Sequence, residues 1–126
     1  MDERIIEFIK AQKVASIACV DQKGNPYCFS CFFAFDDKKN LLYFKSSASA
    51  HHSQLLIQFA SVAGTINPDK LNTLAIKGIQ FTGVLLDKED ILCNHAGSAY
   101  HMEYPFALAM PGEVWTIQLL TVKFTD

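Results

Sequence analysis

The segment Tyr43-Phe-Lys-Ser-Ser-Ala-Ser-Ala-His-His-Ser-Gln-Leu-Leu56 changes character halfway along. It begins as the end of an extended run, Leu41 to Lys45, and passes through a corner rich in serine. It finishes in Gln54, Leu55, Leu56, Ile57 and Phe59, whose spacing predicts a short helix with one buried face. The start of a helix presents free backbone N–H groups and about half a positive charge. With the hydroxyls of Ser46 and Ser47 and the imidazoles of His51 and His52 around it, the corner is a competent phosphate seat. Ordinary serine capping of a helix is the plainer reading of the same residues.

Working upstream, Pro26 to Phe35 alternates Tyr27, Phe29, Cys31, Phe33 and Phe35 on one face with Cys28, Ser30, Phe32 and Ala34 on the other. Both faces are mostly apolar, so both are expected to be covered, the bulky one by a core and the smaller one by something flat. Asp36 to Asn40 makes the turn into the next strand, and Asp21 to Pro26 supplies the turn after Val14 to Val20, a β-branched alternating strand. Ahead of these, Ile5, Ile6, Phe8 and Ile9 form a helical stripe between Glu3 and Gln12, with Asp2 placed as its cap.

Downstream, Ser61 to Ile66 alternates again, and Asn67-Pro68-Asp69 turns the chain. Thr73 to Leu86 reads as a long strand in which Gly78 and Gly83 mark a bulge or close backbone approach. Asp87 to Met102 reads as a moderately amphipathic helix, Tyr104 to Pro111 as an apolar loop or short helix, and Glu113 to Phe124 as a last strand. Six strands with three short helices predict an α+β, mainly β, protein built round a small antiparallel barrel.

The 126 residues leave room for one domain over 1–126, since domains most often run to roughly 100–150 residues. Half the residues are hydrophobic and 19% charged, which excludes disorder for most of the chain. Eleven Lys and Arg against 13 Asp and Glu give a net charge of -2 and no basic stripe, so nucleic acid is not an expected partner. No stretch approaches the roughly 20 apolar residues of a membrane span, and the acidic start carries no secretory signal, so a cytoplasmic protein is expected. Ten Phe with so few charges suggest that apolar surface is hidden in a homo-oligomer interface, and Trp115 reads as a core or interface aromatic.

Few side chains suggest catalysis. Cys28 and Cys31 form a C-x-x-C, but on a strand their odd spacing sends the sulfurs to opposite faces, so no metal is expected. The four cysteines read as reduced, buried hydrophobes. Cys93, His95 and His101 lie near one helix at a spacing that does not share a face, so they read as surface or packing residues. No G-x-S-x-G elbow accompanies the Ser46 to Ser53 hydroxyls, so a hydrolase is unsupported.

In order, Cys28-Phe-Ser-Cys-Phe-Phe-Ala-Phe35, the Tyr43 to Leu56 segment, Ser61-Val-Ala-Gly-Thr-Ile66 and Lys77-Gly-Ile-Gln-Phe-Thr-Gly83 resemble the FMN-binding split barrel of pyridoxamine phosphate oxidase-like proteins. Together with Val114-Trp-Thr-Ile117 and Val122-Lys-Phe-Thr-Asp126, they are most similar to a small bacterial subgroup of that superfamily whose function is not established. The resemblance implies a six-stranded antiparallel split β-barrel with short flanking helices, forming a homodimer with two FMN sites at its interface. It places Ser30, Cys31 and Phe32 beside the flavin ring, Lys45, Ser46 and Ser47 at contact positions, and His51 and His52 on the phosphate. Lys77 and Gln80 lie in the strand that faces the flavin in relatives; alternation sends them to opposite faces unless Gly78 bulges the strand.

Pyridoxamine phosphate oxidase itself has an Arg at the place of Ser30, a Lys near Phe35 and an Arg-Lys pair where His51 and His52 stand, so its substrate is not carried over. Relatives also continue past the position of Asp126 with a basic, aromatic tail; either this sequence is a piece of a longer one or the site is incomplete. The function implied is an FMN-binding oxidoreductase acting on an unidentified small molecule, with no catalytic side chain indicated. The alternative is a binding protein whose degenerate flavin site holds another planar ligand or none.

Overall fold

Apolar side chains at every second position give each strand one face to bury, and six such strands close on themselves here. The computed structural model describes residues 1–125. Helix α1 (Glu3–Ala11) is capped by Asp2, whose carboxylate accepts from the Arg4 N–H at 2.8 Å. It is followed by β1 (Val14–Val20), β2 (Pro26–Asp36), β3 (Leu41–Ser46), α2 (His51–Gln58), β4 (Ser61–Ile66), β5 (Gly78–Leu85), α3 (Ala96–Glu103) and β6 (Glu113–Thr125). Short 3-10 turns at Ile91–Cys93 and Pro105–Ala109 flank α3. The strands form a closed antiparallel barrel in the order β1-β2-β3-β6-β5-β4.

Two cores result. Ile17, Cys19, Phe33, Leu42, Phe44, Val62, Ile66, Phe81 and Ile117 fill the barrel, closed at its ends by Ile9 of α1 and by Leu55 and Leu56 of α2. A smaller one lies outside, where Ala96 and Tyr100 of α3, with Tyr104 and Ala107, cover Ala34, Leu41 and Tyr43. The Tyr104 hydroxyl donates to the buried Phe33 carbonyl at 2.6 Å and straps this layer to β2.

Five expectations need correction. Helix α2 begins at His51, not Gln54, so both histidines belong to its first turn. Strand β5 begins at Gly78: among the described residues the segment from Thr73 to Lys77 pairs with no strand, and Lys77 is exposed ahead of the sheet. The register shift falls between Thr82 and Gly83, where β6 carries the extra residue Leu120, and none occurs at Gly78. A Cβ on Gly83 would stand 2.7 Å from the Gln118 carbonyl oxygen, which is why glycine sits at the bulge. The single helix expected over Asp87 to Met102 is broken: Asp90 caps a 3-10 turn through the Leu92 N–H at 2.9 Å, and α3 starts only at Ala96. Of the four cysteines, all free, only Cys19 is fully buried and Cys28 is exposed.

Candidate functional site

The β3-to-α2 corner is built as a helix start without a side-chain cap. The N-cap is Ala50, which has no side-chain oxygen to offer, and the serines bond among themselves. Ser47 Oγ lies 2.9 Å from Ser49 Oγ and accepts from the Ser49 N–H, while the buried Ser53 hydroxyl donates to the Ser47 carbonyl at 2.7 Å. First-turn N–H groups have no acceptor inside their own helix, so those of the exposed His51 and the half-buried His52 are left for an anion or water. The Ser47 and Ser49 side chains are exposed beside them.

The two histidines differ. His51 is exposed and meets Tyr27 edge-on, 4.8 Å between centroids. His52 is half-buried, stacks on Phe29 at 3.8 Å with only 9° between the rings, and shares a 2.6 Å hydrogen bond through Nε2 with Ser46 Oγ. Burial, and secondarily the neighbouring His51, holds the His52 imidazole below the usual histidine range. It is therefore neutral at pH 7 and serves the corner as a packing and hydrogen-bonding group. Because the folded protein binds that proton less readily than the unfolded chain, His52 favours folding fully above about pH 6.5 and loses that contribution as pH falls toward its folded value. Urea unfolding at pH 7.5 and pH 5.5 is expected to show a smaller acid loss in His52→Gln than in the parent protein.

From His52 an aromatic ladder runs into the barrel: Phe29 to Phe44 at 5.6 Å, Phe44 to Trp115 at 6.4 Å, then the Lys88 ammonium 4.2 Å from the Trp115 centroid. Trp115 Nε1 donates to the Ser46 carbonyl at 3.0 Å, so the ladder also fixes the backbone of the corner.

The remaining sequence candidates occupy other places. Lys45 and Ser46 project to opposite faces of β3: Ser46 meets His52, whereas Lys45 Nζ donates to the Ala107 carbonyl at 2.7 Å and lies 3.0 Å from His101 Nε2. Ser30 is on the outer face of β2, 3.3 Å from Ser16 Oγ, and Phe32, 48% exposed, is on the same face. Cys31 points inward, and burial pushes its thiol up to about 12, so the sulfur is a packing group. Gln80 is exposed on the outer face of β5, opposite Thr65.

Between Pro26 and Phe32 the ladder of β2 runs to β1 alone, and pairing with β3 begins only at Phe33 opposite Phe44. The barrel is thus split beside the corner, leaving one edge of residues 26–32 without a strand partner. A shallow cavity of about 420 Å³ on the outer sheet face is lined by Val14, Ser16, Phe32 and Thr65. The structure brings Ser46, Ser47, His51 and His52 together, and Ser30 with Phe32, as two patches; Lys45 and Lys77 belong to neither. Phe29, Tyr27 and His101 were missed as site residues, because each acts through a partner distant in sequence.

No protein-family model matches the sequence. Curated relatives do. A UPF0306 protein YhbP from Salmonella schwarzengrund is 35% identical over 108 residues, covering 86% of this chain and 74% of the relative. Another, from Escherichia fergusonii, is 33% identical over 122 residues, covering 97% and 82%. The chain belongs to the UPF0306 YhbP family. Solved structures extend the fold of this UPF0306 chain well beyond the family. A heme binding protein from Mycobacterium smegmatis aligns with TM-score 0.79 and 16% identity over 94% of this chain, which spans 50% of that protein. An FAD-binding protein from Mesorhizobium loti gives 0.74 and 16% over 98% and 94%, and an F420 reductase 0.67 and 14% over 98% of each. The closed six-stranded barrel is therefore a fold that this chain shares with these solved proteins.

Proposed function

We propose that this UPF0306 chain binds FMN as a homodimer and acts as an oxidoreductase on a small molecule. The observation that carries the proposal is the uncapped start of α2, with its free N–H groups and the exposed Ser47 and Ser49 hydroxyls at the split of the barrel. That donor set fits a phosphate monoester. The unpartnered edge of Ser30, Cys31 and Phe32 offers backbone groups to a flat ring, and Ser16, Ala18, Cys28 and Ser30 give a floor of small side chains. Solved proteins of this fold named as FAD-binding and F420 reductase support a flavin in particular.

A flavin bound there supplies the hydride and electron chemistry. The chain's own residues bind and orient it and keep water away. Val14, Phe32 and Leu120, at 41%, 48% and 65% exposure, supply apolar surface for a second copy. Gln80 and Lys77 come within reach of the site only if that copy contributes them.

A second reading has its own support. His52 is neutral and engaged with Ser46, so the corner holds no fixed cation, which suits a split-barrel protein that takes another planar ligand. The variant His51→Arg separates the two. Adding a permanent cation at the exposed first-turn position is expected to tighten FMN about fivefold, on the order of 1 kcal/mol. Unchanged affinity in an equilibrium titration would remove the phosphate from this corner.

A further inference from the structure

One ammonium ties the outer helical layer to the barrel. Lys45, half-buried on the same face of β3 as Leu41 and Tyr43, donates through Nζ to the Ala107 carbonyl of the Pro105–Ala109 turn at 2.7 Å. The same Nζ lies 3.0 Å from Nε2 of His101, in the last turn of α3. Both partners are uncharged acceptors, and no carboxylate among the described residues pairs with the ammonium. Apart from these contacts the layer rests on Ala96, Tyr100, Tyr104 and Ala107, packed over Ala34, Leu41 and Tyr43.

The hydrogen bonds of His101 fix its protonation state. An ammonium has only hydrogens to give, so Nε2 must accept from Lys45, and the 2.8 Å contact of Nδ1 with the Gly97 carbonyl requires Nδ1 to donate. Only one neutral tautomer satisfies both. An imidazolium carries a hydrogen on each nitrogen, so Nε2 would aim a donor and a positive charge at a cation 3.0 Å away. The surroundings offer no compensation. Tyr100 meets the imidazole edge-on at 5.6 Å. The cavity between α3 and β6, which His101 lines, also carries Cys93, Lys88 and Glu113, but Lys88 and Glu113 are already paired with each other at 2.8 Å. Glu103 lies on the α1 side of α3, with Ile9 and Lys10. The C-terminal end of a helix attracts a cation, and Lys45 already supplies one.

We propose that Lys45 and His101 form an acid-sensitive latch, closed while the imidazole is neutral and released when it is protonated, so that α3 loosens from β3 as pH falls. The contact needs the neutral imidazole. The latch is therefore present above about pH 6.5, the ordinary histidine value, and is lost as pH falls below it. Its release weakens the cover over Leu41 and Tyr43 and leaves the barrel ladders intact.

Hydrogen exchange read by mass spectrometry at pH 7.5 and pH 5.5, expressed as protection factors so that the direct effect of pH on exchange chemistry cancels, tests this. Protection over residues 96–109 is expected to fall about fivefold or more at pH 5.5, relative to β1 and β5. His101→Gln places an amide oxygen where the Nε2 lone pair stands, accepts from Lys45 at either pH, and is expected to abolish the acid loss. Lys45→Met removes the latch and is expected to lower protection of the segment already at pH 7.5, with no further loss at pH 5.5. His52→Gln is expected to retain the acid loss in α3, which separates it from the acid response of the corner histidine. The proposal is overturned if the parent shows no acid loss over 96–109, if the loss is spread evenly over the barrel, if His101→Gln keeps it, or if Lys45→Met has parental protection at pH 7.5. No flavin enters these readouts, so the latch and the reading of the α2 corner stand or fall separately.

Discussion

Replacing Phe44 with Ala is expected to cost about 3–5 kcal/mol, a large share of the stability of a domain this size. The ring is fully buried at the middle of the aromatic ladder, between Phe29 and Trp115. Its removal leaves a cavity that two neighbouring rings must collapse to fill, and neither is free to do so. Phe29 is held under the His52 ring, and Trp115 is tied to the Ser46 carbonyl. Chemical denaturation should show a lower midpoint with an unchanged m value. The same variant should loosen the corner, because His52 stacks on Phe29 and the backbone at Ser46 hangs from Trp115. A loss below about 1 kcal/mol would mean that the ladder does not organise the barrel.

The second large effect falls on Gly64. A Cβ there would overlap the Phe81 ring and stand 2.6 Å from the Ser16 carbonyl oxygen. The ring belongs to the packed core, and the carbonyl belongs to β1 where it pairs with β4. Gly64→Val should therefore cost about 3 kcal/mol by overpacking, or more where the β1–β4 ladder gives way. Gly97→Ala, where a Cβ meets nothing within 4 Å, is the matched control and should leave the denaturation midpoint in place or raise it. Equal behaviour of the two glycine variants would contradict the barrel register at Gly64.

The strands were legible because alternation is local. Val14 to Val20 and Ser61 to Ile66 each show their buried face in their own spelling, and the barrel realises them within a residue; Leu41 to Lys45, apolar on both faces, is covered on both. The run from Thr73 to Ile76 looked equally strand-like but lies outside the sheet. Strand β4 ends at Ile66, opposite Ile79, and β6 reaches only as far as Gly78. Whether a β-competent segment becomes a strand depends on a neighbour, which the segment itself does not encode. The missing neighbour leaves Leu74 and Ile76 at 95% and 76% exposure.

The residues of the corner were legible, but their geometry was not. Serines and histidines between a strand and a helix suggested an anion seat. What they could not announce is that His52 turns under the backbone to stack on Phe29, more than twenty positions earlier. Lys45 is the sharper case. Its place in the sequence, next to Ser46, puts it at the corner, yet strand alternation sends it to the other face, where His101 is 56 residues away.

The central claim is that the start of α2 holds the phosphate of FMN. Equilibrium titration of FMN and of riboflavin, which carries the same ring without the phosphate, tests it most directly through flavin fluorescence. FMN is expected to bind at least tenfold tighter than riboflavin and to raise the melting temperature at saturation. Equal affinity for the two flavins, or no binding of either, would contradict it.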